Sequence, residues 1–155
     1  NTKINMGAGN DTVMLAGDIG SDRVHFNVSV DGGDGNDTLF FTTSDVHTNL
    51  KRLLNFETID LSGTGNNRLD VSIDKVKLNG NTAIDIDGIS YTGLFIKGNA
   101  GDTVDLGANG GSAGKPDLGK FEEYSGNNKP DGYKAYWDGK DIHTMVYIQD
   151  DISII

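Results

Sequence analysis

The sequence predicts an all-β domain: a short, irregular parallel solenoid followed by antiparallel strands, with one short helix. Two observations lead to this prediction. Glycine-rich loops recur along the chain, and apolar residues at alternate positions follow each loop, which is the period of a strand with one buried face. The chain has 155 residues and no cysteine. We therefore expect a single domain over residues 1–155, with a real core and no disulfide.

The glycine-rich loops share a pattern of glycines and one acidic or amide residue. Gly7, Gly33, Gly63 and Gly98 mark the four copies, and the sixth position then holds Asp11, Asp37, Asn67 and Asp102. The second copy, Gly32 to Phe40, is the best formed. Glycine lets backbone carbonyl oxygens converge, and the aspartate adds an anionic oxygen. Calcium binds six to eight such oxygens at about 2.3–2.6 Å, so the loops predict calcium rather than zinc.

Charge and composition limit the partners. The net charge is −10 and the pI is about 4.5, which argues against nucleic acid and against anionic membrane surfaces. All but three of the 23 acidic residues are aspartate. The apolar runs are far shorter than the roughly 18 residues of a membrane span, so no membrane insertion is expected.

The segments between and after the loops predict the remaining elements. Helical spacing of Leu50, Leu53, Leu54 and Phe56 predicts one short amphipathic helical turn. Asp87-Gly88 predicts a tight hairpin turn. Residues 1–106 form the repeat region in this interpretation. Residues 107–155 begin with a long glycine-rich loop and continue, from Phe121, as antiparallel strands.

Two of the loops carry a family resemblance. Residues Gly7 to Val13 and Gly32 to Phe40 resemble the G-G-x-G-x-D-x-U-x nonapeptide of repeats-in-toxin (RTX) proteins, which binds calcium between stacked turns of a parallel β-roll. Phe56 to Asn67 and Gly98 to Gly107 are similar to distal segments of giant RTX adhesins of Gram-negative bacteria. With the pattern from Tyr133 to Ile155, the chain is most similar to the peptide-binding modules of those adhesins.

The resemblance implies a function and a location. It implies a piece of a longer chain, displayed on the bacterial cell surface after type I secretion and folded by extracellular calcium. The partner would be a short peptide or protein C-terminus on a host or neighbouring cell, as in adhesion and biofilm formation. No enzymatic activity is expected.

The resemblance also implies the calcium ligands. One ion would lie between Met6, Ala8 and Asp11 of one loop and Gly33, Gly35 and Asp37 of the next. A second would join Gly32, Asp34 and Asp37 to Gly63, Gly65 and Asn67. Asp102 would contribute in the fourth copy. The third copy departs from the pattern, because Asn67 is neutral and Arg68 follows it, and both changes weaken a calcium site.

Two irregular segments are candidates for ligand binding. Gly110, Gly111, Ser112 and Gly114 predict a backbone N–H nest for a peptide carboxylate, and Asn127, Asn128 and Asp131 would contact the rest of the peptide. The alternative is that these segments only connect hairpins.

Other motifs leave further functional alternatives. Residues 110–114 satisfy G-x-S-x-G, but the strand and helix of a nucleophile elbow are not expected around them. His25, His47 and His143 lack metal-site spacing. Tyr133, Tyr136, Trp137 and Tyr147 form either a core or a platform for sugars. A calcium-dependent carbohydrate-binding module and a structural, calcium-clamped extender unit therefore stand as alternatives to peptide capture.

Overall fold

The structure, a computed structural model, describes residues 2–16, 28–107 and 121–155. Within these residues the fold is mostly β-sheet, with one short α-helix, α1 Ile73–Val76, and two 3₁₀ turns, Leu50–Arg52 and Ile142–Thr144. The strands are β1 Thr2–Asn5, β2 Thr12–Leu15, β3 Val28–Asp31, β4 Thr38–Phe41, β5 His47–Asn49, β6 Leu53–Leu54, β7 Thr58–Asp60, β8 Arg68–Asp70, β9 Ile84–Ile86, β10 Ile89–Tyr91, β11 Leu94–Lys97, β12 Thr103–Asp105, β13 Glu122–Glu123, β14 Tyr133–Trp137, β15 Val146–Gln149 and β16 Ser153–Ile154. The predicted all-β class is confirmed.

Three sheets carry most of these strands, and parallel pairing dominates them. The first sheet contains β1, β3 and β6. The second is a mixed seven-stranded sheet in which β2, β4, β7, β11 and β15 are parallel neighbours and β14 and β13 follow antiparallel. The third contains β5, β8, β12 and β16. Strands that follow one another in the chain therefore form successive layers: β1–β2, then β3–β5, then β6–β8.

The main core lies on one face of the seven-stranded sheet. Four neighbouring parallel strands each contribute one fully buried apolar side chain at the same register position. These side chains are Leu39, Ile59, Ile96 and Ile148. Because successive side chains of a strand point to opposite faces of the sheet, the residues between these positions lie on the other face. That face carries a second cluster, Tyr91, Phe95, Ala135, Met145 and Tyr147.

The hairpin prediction at Asp87-Gly88 is confirmed. Strands β9 and β10 pair antiparallel across it, and both turn residues have positive φ, 53° and 78°, as a type I′ turn requires. Ile84 and Ile86 of this hairpin pack against the second cluster.

The predicted helical turn near Leu50 is wrong in type and extent. Leu50–Arg52 is a 3₁₀ turn, and Leu53–Leu54 is a strand paired with β3. The reason is that the chain becomes extended after this turn, and Leu50, Leu53 and Phe56 all reach the main core. The α-helix lies instead at Ile73–Val76, where Ile73 and Val76 are buried.

The C-terminal strands are antiparallel only in part. Strand β14 pairs antiparallel with β13 and β15 as expected, but β15 is also a parallel neighbour of β11, and β16 pairs parallel with β12. The last strands thus extend the same sheets that the repeat region begins. Among the described residues, no helix is long and apolar enough to cross a membrane.

Two isoleucines test the location of the main core. Ile59 is fully buried, whereas Ile89 is half exposed on the hairpin. We expect Ile59→Ala to lower the free energy of unfolding by about 2–5 kcal/mol, since it removes buried methyl groups and leaves a cavity. The matched change Ile89→Ala should cost about 0.5 kcal/mol or less. Denaturant unfolding measures both, and equal losses would contradict the core assignment.

Candidate metal centre

Three loops lie side by side where the first sheet passes into the second. We call them loop 1 (residues 6–11), loop 2 (residues 32–37) and loop 3 (residues 55–57). Each follows a strand of the first sheet, β1, β3 or β6, and precedes a strand of the second, β2, β4 or β7. Because the flanking strands pair in parallel register, the loops are stacked in chain order.

Backbone hydrogen bonds hold loops 1 and 2 together. The Gly9 N–H donates to the Asp34 carbonyl at 2.8 Å, and the Asp34 N–H donates to the Gly7 carbonyl at 2.9 Å. Gly33 has a φ of +100°, and a Cβ there would collide with the Gly7 carbonyl oxygen. Two glycine loops can therefore approach closely enough for their carbonyl oxygens to face a common point.

The sixth-position aspartates of loops 1 and 2 meet in this stack. Asp37 is fully buried, and its Oδ1 accepts the Asp11 N–H at 2.8 Å. The Oδ2 atoms of both Asp11 and Asp37 are shielded from solvent and have no hydrogen-bond partner among the described residues. A buried, unpaired carboxylate oxygen is costly unless a positive group satisfies it. These two oxygens make the stack of loops a candidate cation site, and Asn36 Oδ1 of loop 2 is also shielded and unpaired.

The predicted carbonyl ligands are compatible with such a site. In the bonds that join loops 1 and 2, the carbonyl acceptors are those of Gly7 and Asp34. The carbonyls predicted to bind the first ion belong to other residues: Met6, Ala8, Gly33 and Gly35. No group of three or more His, Cys, Asp and Glu side chains in the described part of the chain could hold a metal ion. Calcium accepts a mixture of carboxylate and carbonyl oxygens, which two aspartates in glycine loops can supply.

Loop 3 places Glu57 at the level of Asp11 and Asp37. The Asp37 N–H donates to Glu57 Oε2 at 2.9 Å, and Glu57 is buried. Burial, followed by the charge of Asp37, raises the pKa of the Glu57 carboxyl, although backbone N–H groups of Asp37 and Thr82 donate to it and act in the opposite direction. Glu57 was not predicted as a site residue, because loop 3 has three residues and no glycine.

A usable signal for Glu57 was present in the sequence. Thr12, Thr38 and Thr58 each follow the acidic residue and precede an apolar one. An alignment on this threonine, rather than on the glycines, puts Glu57 in register with the two aspartates.

The other two glycine copies lie at the opposite end of the strands. Residues 61–67 and 98–102 connect the second sheet to the third, beside residues 42–46 and 150–152. The structure therefore does not bring Gly63, Gly65 and Asn67 to loop 2. The four copies form two separate columns of loops, which a single alignment of the sequence cannot distinguish.

In this second column, hydrogen bonds satisfy the side chains of Asn67 and Asp102, whereas Thr43 Oγ1 is shielded and has no partner among the described residues. Asn67 Oδ1 accepts the Val46 N–H at 3.0 Å, and its Nδ2 donates to the Leu61 carbonyl at 2.9 Å. Asp102 Oδ1 accepts the Asn67 N–H at 2.8 Å, and Oδ2 accepts the Asn99 N–H at 2.6 Å. Neither side chain has a shielded oxygen without a hydrogen-bond partner, so neither needs a cation to satisfy it.

Arg68, which was expected to weaken a calcium site in the third copy, forms ion pairs with carboxylates. Its guanidinium contacts Asp70 at 2.9 Å and Asp105 at 2.6 Å on the third sheet. His47 also contacts Asp70, at 2.8 Å. The positive charge of the Arg68 guanidinium is thus paired with carboxylates on the strands of the third sheet. His25 lies outside the described residues.

The candidate peptide-binding residues are only partly described. Gly110, Gly111, Ser112 and Gly114 lie outside the described residues. Asn127, Asn128 and Asp131 are exposed in the segment between β13 and β14. Hydrogen bonds anchor this segment, since Lys129 Nζ donates to the Tyr133 carbonyl at 2.9 Å and the Gly132 carbonyl accepts the Asp150 N–H at 2.9 Å.

Three of the four C-terminal aromatic residues contribute to the second cluster, namely Tyr133, Trp137 and Tyr147, and Tyr136 packs against the main core. Tyr147 stacks on Phe95 with ring centroids 4.7 Å apart, and burial raises the pKa of Tyr147 to about 12. Trp137 packs edge-on against Tyr124 at 5.6 Å. The core interpretation of these aromatics therefore has more support than the sugar platform.

Comparisons with known proteins identify no family for this chain. No family model matches the chain, and no curated protein and no solved structure matches it. The site is defined by its geometry alone.

Two glycines test the close approach of loops 1 and 2. Gly33 and Gly88 both have positive φ, +100° and +78°, but a Cβ at Gly88 meets nothing within 4 Å. Gly88→Ala should therefore cost only about 1 kcal/mol of stability, from backbone strain. Gly33→Ala should cost more, because the new Cβ also forces loop 2 away from Gly7. Thermal unfolding measures both, and an equal loss in the two variants would show that the loops are not held in contact.

Proposed function

We propose that this chain is a calcium-binding module of an extracellular bacterial adhesin, folded as a short parallel β-roll. The observation that carries the proposal is the pair of orphaned, shielded Oδ2 atoms of Asp11 and Asp37 between two stacked glycine loops. Cations bound within this stack of loops would satisfy both oxygens. The RTX resemblance of the same two loops points independently to calcium.

Electrostatics gives calcium a role in folding. Folding brings Asp11 and Asp37 together in a chain of net charge −10, and like charges in a buried site repel one another. None of the ion pairs between described residues includes either aspartate. A divalent cation that binds only the folded loops stabilises the folded state by mass action.

The proposed location agrees with this coupling. Extracellular calcium modules bind with dissociation constants of about 10⁻⁴–10⁻³ M, which free calcium inside a cell does not reach. A chain without cysteine has no disulfide to stabilise it outside the cell. Calcium can serve that purpose in a surface-displayed module, for which we propose a binding role rather than a catalytic one.

Peptide capture is the finer part of the proposal. It is supported by the exposed amide and carboxylate side chains of Asn127, Asn128 and Asp131, which sit on a segment anchored at Tyr133 and Gly132. Rigid strands that hold a polar loop are a common arrangement for recognition. A carbohydrate ligand has less support, because Tyr147 is buried against Phe95.

Calcium removal tests the metal site. If calcium is present at about a hundredfold over its dissociation constant, it contributes about 2.7 kcal/mol. For a domain of this size, chelation should then lower the melting temperature by roughly 5–10 °C. Circular dichroism with and without chelator measures the difference.

Three aspartate variants show which residues are responsible. Asp37→Asn should reduce the calcium-dependent difference in melting temperature most, and Asp11→Asn should reduce it less, because Asp37 is the more buried of the two. Asp102→Asn is the matched control, since it lies in the second column, where no shielded carboxylate oxygen of a described residue lacks a hydrogen-bond partner. A wild-type melting curve that chelator leaves unchanged would refute the calcium site.

A separate experiment tests peptide capture. Peptides selected on an array with free C-termini should bind in calcium, and amidation of the C-terminus should weaken binding at least tenfold if a carboxylate is recognised. Asp131→Ala should weaken binding without changing the melting temperature, because its side chain is exposed. Binding that neither amidation nor Asp131→Ala affects would place the ligand elsewhere.

A further inference from the structure

We propose that a second calcium ion binds between loop 2 and loop 3, held by Asp37 Oδ2, the Asn55 carbonyl oxygen and the Glu57 carboxylate. This inference rests on the proposed function, since it extends the same column of loops by one layer. It assigns a ligand role to a loop that has no glycine and lacks the calcium-binding nonapeptide pattern.

The two oxygens of Asp37 have different surroundings. Oδ1 accepts the Asp11 N–H of loop 1. Oδ2 lies beside Gly32, 2.8 Å from the position that a Cβ of that residue would occupy, and the same Cβ would collide with the Asn55 carbonyl oxygen. Asp37 Oδ2 and the Asn55 carbonyl therefore border one small space, which is open because residue 32 is glycine.

The backbone of loop 3 favours this arrangement. Asn55 has a φ of +56°, in the left-handed region that few residues other than glycine adopt. Its side chain donates from Nδ2 to Asp31 Oδ1 at 2.7 Å, and its N–H donates to the Leu78 carbonyl at 2.8 Å. These bonds fix the peptide unit, so that the Asn55 carbonyl is held beside Gly32 without the help of a glycine.

Glu57 adds a second buried carboxylate next to Asp37. Oε2 accepts the Asp37 N–H at 2.9 Å, and Oε1 accepts the Thr82 N–H at 3.3 Å. Two oxygens that both accept N–H groups fit an ionised carboxylate. Asp37 and Glu57 bury two adjacent carboxyl groups, and a cation beside them would favour the ionised form of both. The ion pairs between described residues involve other carboxylates.

A hard divalent cation matches this set of donors. All of the candidate ligands are oxygens, two of them from carboxylates, and the site contains no sulfur and no imidazole. Calcium is the cation that prefers such ligands and tolerates irregular geometry. Asp37 would then contact both ions of the column, one through each side of its carboxylate.

Counting the bound ions tests the second site. We expect native mass spectrometry of the purified chain in calcium to show one ion fewer in Glu57→Gln than in the wild type, and one ion fewer in Asp11→Asn. The double variant should lose both. Asp102→Asn, the control in the second column, should keep the wild-type number.

A second variant guards against a failure of Glu57→Gln to fold. Gly32→Ala keeps both carboxylates in the chain, but its Cβ would occupy the space beside Asp37 Oδ2 and push the Asn55 carbonyl away, so it too should lose at least one ion. An unchanged ion count in both Glu57→Gln and Gly32→Ala would overturn the second site and leave the site at Asp11 intact. If the wild type binds no calcium at all, the proposed function fails, and the second site fails with it.

Discussion

The structure depends on one repeated hydrogen bond at the corners between its sheets. A buried backbone N–H just before a strand has no partner in the ladder, and a side-chain oxygen from the next layer accepts it. Asp37 does this for Asp11, and Glu57 does it for Asp37. In the second column Asn67 and Asp102 do the same for the layers before them. Buried N–H groups must be paired, so each layer requires the next.

The two columns meet this requirement with different side-chain chemistry. The first uses carboxylates alone, and two of their oxygens remain orphaned. The second includes a neutral amide, Asn67, whose donor and acceptor are both satisfied, and an aspartate whose two oxygens each accept an N–H. The backbone scaffold is similar, yet among the described residues only the first column has shielded carboxylate oxygens without a partner. A cation has a physical reason to bind there.

Sequence patterns predicted what depends on local residues. The alternating strands, the Asp87-Gly88 turn and the glycine loops all follow from backbone preferences within a few positions. The division of the loops into two columns does not, because it depends on which strands become neighbours across 20–35 residues of chain. Glu57 was missed for the same reason: its role is set by contact with Asp37, and its own loop carries no glycine.

The order of the parallel strands also determines how the domain would respond to a pulling force. In the seven-stranded sheet β2, β4, β7, β11 and β15 follow one another in chain order, so the first and last layers lie at opposite ends of the stack. A force applied between those ends acts along the inter-strand hydrogen bonds and loads the layers in series. The layers would then separate one at a time, beginning at the weakest junction. Ions that bridge neighbouring loops would act as cross-links at the first two junctions.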